Sequence, residues 1–270
     1  MPDLKRGIRA LSNPARHATA LLRIVRAFRN WGPLLANYVW RRDLPSCEAV
    51  FRDDGTKLLL SGLADLSNLW AIFGREEYPV VSNDELIIDI GANIGLFSLF
   101  AARRAPDARI TAFEPVKSTF DTLATNVGQS TAHRRISLIN AAVAPTDRRQ
   151  RIYLGTSSDL ASLYPSLPDQ SYEWVEARSI NTILRDHEGT LSLLKMDCEG
   201  AEWEILTSAQ PEYFKKVQRV FVEFHDLSPK KMQTALGDLA RLGFRPDGTQ
   251  YHGDGQTAVV WASRTDLRHQ

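Results

Sequence analysis

The sequence predicts an α/β fold: a mostly parallel, seven-stranded sheet with an antiparallel last strand, preceded by a helical and hairpin extension. Three observations predict it. From Glu85 onward, short continuous apolar runs alternate with amphipathic stretches, the pattern of buried parallel strands joined by covering helices. Three of those runs carry an acid at or just past the end, Asp89, Glu114 and Asp197, and glycine turns follow the first and third. The last two apolar runs flank a glycine-rich loop through Gly248, Gly253 and Gly255, which reads as a hairpin and turns the final strand antiparallel.

Taken in order, Lys5 to Arg42 is basic: Lys5, Arg6, Arg9, Arg16, Arg23, Arg26, Arg29, Arg41 and Arg42 are opposed only by Asp3 and Asp43. Leu21, Leu22, Val25 and Phe28 recur at helical spacing within it. Two readings stay open. The favoured one is a helix packed on the rest of the protein with its arginines in water; the other is a basic amphipathic helix touching an anionic membrane face. Ala49–Arg52 and Lys57–Leu60 flank Asp53-Asp54-Gly55, a hairpin signal. Leu63 to Phe73 has helical spacing, with Gly74 past its end. Asp65 and Tyr78 lie here and read more simply as a cap and a packed residue than as site residues.

The sheet begins with Leu86–Ile90, followed by a helix from about Ile94 to Arg104 that Pro106 stops. Next come strand Arg109–Glu114, helix Ser118–Val127 and strand Ile136–Ala142. Arg151 to Ser179 breaks the alternation, with Val175–Ile180 as a short strand, and reads as a long loop that selects substrate; Ser157, Ser158, Ser162, Tyr164, Pro165 and Pro168 belong to it. Strand Leu191–Met196, helix Ala201–Ala209, strand Val220–Phe224 and helix Pro229–Leu242 follow, the last with Met232, Leu236 and Leu239 inward. The closing strands lie near Phe244 and at Thr257–Ala262. The expected division is residues 1–80 as the extension and 81–265 as the catalytic domain.

Composition narrows the function. A length of 270 residues suits one α/β domain with an extension, and a net charge of +1 argues against a general nucleic-acid binder. Cys47 and Cys198 support neither a disulfide framework nor a zinc site, which suits a reducing, cytoplasmic compartment. No apolar run reaches membrane-spanning length, and the first residues lack a signal-peptide core.

The turn after the first strand reads Asp89-Ile90-Gly91-Ala92-Asn93-Ile94-Gly95. Dinucleotide cofactors require G-x-G-x-x-G so that the backbone can approach the pyrophosphate. Here Asn93 replaces the middle glycine, and Asp89 suits a cationic ligand group. S-adenosylmethionine (SAM) has no phosphate and carries an ammonium, a sulfonium and a ribose. Glu114, at the end of the second strand and followed by Pro115, is placed to accept hydrogen bonds from ribose hydroxyls. A nicotinamide oxidoreductase is the rival that Asn93 disfavours. A SAM-binding module without catalysis is the non-enzymatic rival, and the acids at Asp89, Glu114, Asp197 and Glu223 argue against it.

With the third motif, Lys195-Met196-Asp197-Cys198-Glu199-Gly200-Ala201-Glu202, these residues resemble the FkbM-type methyltransferases, which carry K-x-D-x-E-G-x-E here. Cys198 stands where Val or Ile is more usual. The resemblance covers about Phe51 to Ala262. It implies a class I, Rossmann-like methyltransferase fold, SAM as cofactor, and methylation of a hydroxyl on a sugar or natural product. It implies a cofactor set of Asp89, Gly91, Ala92, Asn93, Gly95, Glu114, Pro115, Asn140, Ala141 and Asp197. Asp89 and Gly91 would meet the methionine portion, Glu114 the ribose, and Asn140-Ala141 the adenine. An N-methyltransferase is the rival within the fold; Asp197-Cys198-Glu199-Gly200 stands where such enzymes often carry an Asn/Asp-Pro-Pro-Tyr-like run.

A hydroxyl is a poor nucleophile until its proton is taken. Asp197 is the first candidate base or orienting group, and Glu223 and His225, two apart on one strand face, come next with Glu199. The same four could hold magnesium or manganese, a reading not favoured. Glu202 and Glu204 read as ordinary charge at a helix start, without chemistry.

Overall fold

The computed structural model describes residues 14–40, 46–155, 161–165, 169–252 and 255–265, with side chains from residue 17. Asp3, Lys5, Arg6, Arg9, Arg41, Arg42, Asp43, Ser157, Ser158, Pro168, Gly253 and the side chain of Arg16 lie outside the described residues. The chain divides into two units, one running to Tyr78 and including Gln129–Thr131, the other comprising Pro79–Gly128 and the chain from Ala132 onward.

The first unit holds helices α1 (Pro14–Ala27) and α2 (Trp31–Val39), the antiparallel hairpin β1 (Cys47–Val50) and β2 (Lys57–Leu60), and α3 (Leu63–Leu69). Phe28, Phe51 and Phe73 pack with ring centroids 4.8–5.3 Å apart. The buried stripe of α1 is Ala20, Ile24 and Phe28, whereas Leu22 is 56% exposed. The expected face is therefore rotated, because tertiary packing rather than the count of apolar residues chooses which stripe is covered. Arg23 is not turned to water either: it donates to the Gly74 carbonyl and pairs with Glu76. Gly74 does not end the helix. A π-helical turn, Trp70–Arg75, carries the chain past it. A Cβ on Gly74 would lie 3.3 Å from Ile24 and 3.5 Å from Ala20, so its smallness admits α1. Asp65 is buried and accepts the Ser61 N–H. Among the described residues, no helix is long and apolar enough to cross a membrane.

The second unit is built on a seven-stranded sheet. In chain order its strands are β3 (Leu86–Ile90), β4 (Arg109–Phe113), β5 (Ile136–Ile139), β9 (Leu193–Met196), β10 (Arg219–Phe224), β11 (Phe244–Tyr251) and β12 (Ala258–Arg264). Their spatial order is β11-β12-β10-β9-β3-β4-β5, with β12 antiparallel to both neighbours and every other pair parallel. Helices α4 (Leu96–Arg104), α5 (Lys117–Gly128), α7 (Glu202–Ser208) and α9 (Pro229–Arg241) connect these strands. The strand order reverses between β3 and β9, and such a switch point opens a crevice at the carboxyl edge.

Three elements differ from the sequence reading. The strand expected over Ile136–Ala142 stops at Ile139, and β6 (Ala142–Ala144) joins a separate sheet. The segment read as a loop is largely that sheet: β7 (Arg148–Tyr153) pairs antiparallel with β8 (Tyr172–Ser179), which pairs parallel with β6. Charged residues on the outer face hid its alternation. Gly248 lies inside β11 beside a register shift, under the Trp261 ring, where a Cβ would come within 2.2 Å.

Gly91, in the turn leaving β3, sits at the closest approach of two strand ends. Its φ is +73°, and a Cβ there would fall 1.7 Å from the Asp197 carbonyl oxygen. Backbone cannot give way as a flexible side chain would. Gly91→Ala is therefore expected to lower unfolding free energy by about 3 kcal/mol or more, or to prevent folding, and urea denaturation reads the loss.

Candidate active site

Four strand ends meet at the switch point. β3 and β9 are in register with Asp89 opposite Lys195. Lys195 is buried, and its Nζ lies 3.1 Å from Asp89 Oδ1 and 3.7 Å from Asp197 Oδ2 while donating to the Gly91 carbonyl at 2.6 Å. Ser98, on α4, donates to the other Asp89 oxygen at 2.6 Å. Burial opposes the ammonium charge, but Asp89 and Asp197 hold the Lys195 pKa above its ordinary value. The carboxylate that the sequence offers to a cationic ligand is thus 0% exposed and already faces a cation of the chain. A lysine inside an apolar strand was the available signal, since buried charge demands a partner.

The glycine turn is held from β4. The N–H groups of Gly91 and Ala92 both donate to the Phe113 carbonyl. Asn93 adopts φ +49°, and its N–H donates to Glu114 Oε2 at 2.9 Å. Glu114 Oε1 accepts the Val116 N–H at 2.9 Å. Burial pushes the Glu114 pKa up to about 7. Asn140 donates to the carbonyls of Glu114 and Pro115, so its amide nitrogen holds this edge together. Asn126 is buried and donates to the Ile94 carbonyl.

After β9 the chain turns sharply at Asp197–Gly200, with Glu199 at φ +54° and Gly200 at +106°. Glu202 organises this turn. Its carboxylate is 0% exposed, accepts the N–H groups of Cys198 (2.7 Å) and Gly200 (2.9 Å), and lies 3.2 Å from His225 Nδ1. The reading of Glu202 as helix-start charge without chemistry is therefore overturned: the acid faces backward into the turn rather than outward into solvent. Ser162 donates to the Glu199 carbonyl at 2.7 Å.

His225, just past β10, is also pinned through its carbonyl, which accepts the Trp203 indole N–H. Its Nε2 lies 3.5 Å from Glu199 and 3.9 Å from Asp197. Burial would lower the His225 pKa, but the hydrogen bond and charge of Glu202, with Glu199 and Asp197, raise it to about 10. Glu223 is pushed up to about 8 by burial and by the Asp197 charge. Among the described residues, Asp197, Glu199 and His225 offer ligand atoms within 4.8 Å of one another, a spacing that would admit a cation. The four sequence-derived candidates, Asp197, Glu199, Glu223 and His225, thus share one crevice.

A model of the methyltransferase FkbM domain matches residues 89–246. The chain belongs to the FkbM methyltransferase family. Such enzymes take the methyl group from SAM. The chain is 28% identical to methyltransferase sdnD of Sordaria araneosa, over 72% of its own length and 88% of the relative's. It is 25% identical to the 31-O-demethyl-FK506 methyltransferase FkbM of Streptomyces tacrolimicus, over 58% and 70%. A crystal structure of methyltransferase FkbM from Methylobacillus flagellatus superimposes with a TM-score of 0.48 at 14% identity, covering 85% of this chain and 58% of that one.

The FkbM-family crevice fits SAM. Asn93 Oδ1 is buried in the turn with no hydrogen-bond partner, a free acceptor where a ligand donor would lie. Each Glu114 oxygen spends one acceptor site on a backbone N–H and keeps another for ribose hydroxyls.

Two outcomes follow. Lys195→Met leaves Asp89 buried and uncompensated, so it is expected to cost about 3–5 kcal/mol; urea denaturation measures it, and Asp89→Asn added to Lys195→Met should recover part of the loss. Glu114, Glu223 and His225 hold their protons more tightly folded than unfolded. The folded state therefore binds more protons, and their contribution fades as pH rises from ordinary carboxylate values through about 7 and 8, and from 6.5 through about 10. The protein should be less stable at pH 9 than at pH 6, and His225→Gln should flatten the decline above pH 6.5.

Proposed function

We propose that this protein methylates a hydroxyl oxygen of a sugar or glycosylated small molecule, with Asp197 as the base. The observation that carries this reading is the convergence of Asp197, Glu199, Glu223 and His225 beside the glycine turn. The matched relative named for 31-O-demethyl-FK506 supports oxygen as the accepting atom. Residues 81–265 are read as the catalytic domain and 1–80 as its extension, acting on a small acceptor rather than on nucleic acid.

When bound, SAM supplies an electrophilic methyl on a sulfonium that leaves as a thioether. Gly91, Ala92, Asn93 and Gly95 would shape the walls around its methionine portion, Glu114 would hold the ribose, and Asn140-Ala141 would flank the adenine. Asp89 contributes through Lys195, which fixes the Gly91 carbonyl. The remaining work is alignment and removal of the hydroxyl proton. His225, charged at neutral pH, is a poor proton acceptor. Its charge offsets the surrounding acids, and Glu202 sets its ring. Asp197 then takes the hydroxyl proton on a carboxylate oxygen. Glu223 keeps its own proton near neutral pH and can donate a hydrogen bond to the acceptor. A divalent ion on Asp197, Glu199 and His225 would have to displace the imidazole proton, a step the metal-free reading does not require.

Asp197→Asn is expected to leave SAM affinity within about twofold and to lower turnover by about 10²–10⁴-fold. Glu114→Ala should weaken SAM by more than about 1 kcal/mol. Calorimetric titration and single-turnover methylation separate the two effects; full turnover by Asp197→Asn overturns the assignment of the base.

A further inference from the structure

The three-stranded sheet of β6, β7 and β8 has one buried face and one open face. Ile152, Val175 and Ala177 point inward, packed with Val116, Ala142 and Ala144. Alternation then turns Arg149, Arg151 and Tyr153 of β7 outward beside Tyr172, Trp174, Glu176 and Arg178 of β8. Such a face ordinarily carries short polar residues. Here Tyr172 is 45% and Trp174 51% exposed. The Arg151 guanidinium lies 4.5 Å from the centroid of Tyr172 and 5.3 Å from that of Trp174, and Arg149 lies 5.9 Å from Trp174. Among the described residues, neither Arg149 nor Arg151 forms an ion pair with a carboxylate. Glu176, opposite Arg149 in the ladder, is the single acid on this outward row.

The open face leads to the active-site crevice. Tyr153, at the end of β7, forms an antiparallel bridge with Ser162, and the Ser162 hydroxyl donates to the Glu199 carbonyl. Arg149, Arg151 and Tyr153 follow one another at about 7 Å intervals along the strand. A chain-like molecule laid along β7 would run toward Glu199.

We infer that this face holds an acidic oligosaccharide acceptor, its carboxylates or sulfates on Arg149 and Arg151 and its sugar rings against Tyr172 and Trp174. The inference rests on the hydroxyl-methylation reading and names its substrate class. Guanidinium groups held flat against aromatic rings keep their N–H edges free for oxyanions. The unbalanced positive charge selects an anion. The rings do not form a stacking series for nucleobases: Tyr172 and Trp174 are at 88° and Tyr153 and Tyr172 at 61°, with Arg151 against the former pair. Single-stranded nucleic acid needs successive open ring faces. Sugar rings need only apolar edges beside hydrogen-bond donors.

Calorimetry on the full chain tests this with four probes: hexagalacturonate, a heparin-derived hexasaccharide, neutral maltohexaose and hexauridylate. Binding of either acidic sugar, at least tenfold tighter than the neutral sugar or the RNA, is expected. Arg149→Gln with Arg151→Gln, and separately Trp174→Ala, should each weaken that binding tenfold or more while SAM affinity stays within twofold. Equal or tighter binding of hexauridylate overturns the proposal in favour of nucleic acid. Absence of acidic-sugar binding, or binding that the variants do not change, overturns it by reducing the row to cross-strand packing. Failure of the unmutated protein to bind SAM would instead strike the methyl-transfer reading, which the same titrations report independently.

Discussion

The Lys195 ammonium is the constraint on which the crevice depends. It sits between β3 and β9, the two strands at which the sheet order reverses, and one cation answers Asp89, Asp197 and the Gly91 carbonyl together. A buried ion pair contributes little net stability against an apolar substitute, because desolvation offsets attraction. Its value here is geometric. It fixes how far the two strand ends stand apart, and so where the glycine turn and the acidic turn face each other. Gly91 accepts the resulting closeness because it has no Cβ.

Glu202 does for the second turn what Lys195 does for the first. Two backbone donors and one imidazole converge on a single buried carboxylate. The left-handed residues Glu199 and Gly200 are thereby held in a conformation that would otherwise be costly. The same acid keeps His225 charged and aimed at Asp197 and Glu199. The site is consequently a balanced arrangement of charge, with two cations among several acids, rather than a bare acidic cleft.

Around this centre the chain invests differently in each part. The sheet interior is continuously apolar, from Ile87 and Ile88 through Leu194 to Val222. The small sheet beyond β5 buries only a thin apolar layer and turns charged and aromatic side chains outward. Its connection crosses to the Glu199 carbonyl through Ser162. A rigid carboxyl edge with a variable neighbouring surface is the usual division between chemistry and selectivity in α/β folds.

The sequence by itself determined the strand-and-helix alternation, the antiparallel last strand, and the acids at the strand ends, because apolar periodicity and glycine turns are local signals. Asp197, Glu199, Glu223 and His225 were legible for the same reason: their positions after strands bring them to one edge. What only the tertiary structure decided was partnership. That Asp89 belongs to Lys195, that Glu202 turns back into its own loop, that Asn140 holds the Glu114 edge, and that Arg151 lies over Tyr172 depend on residues distant in the chain or on backbone turned through left-handed angles. The stripe of α1 and the π turn at Gly74 were missed likewise, since the choice of which face is buried is made by the surface that covers it.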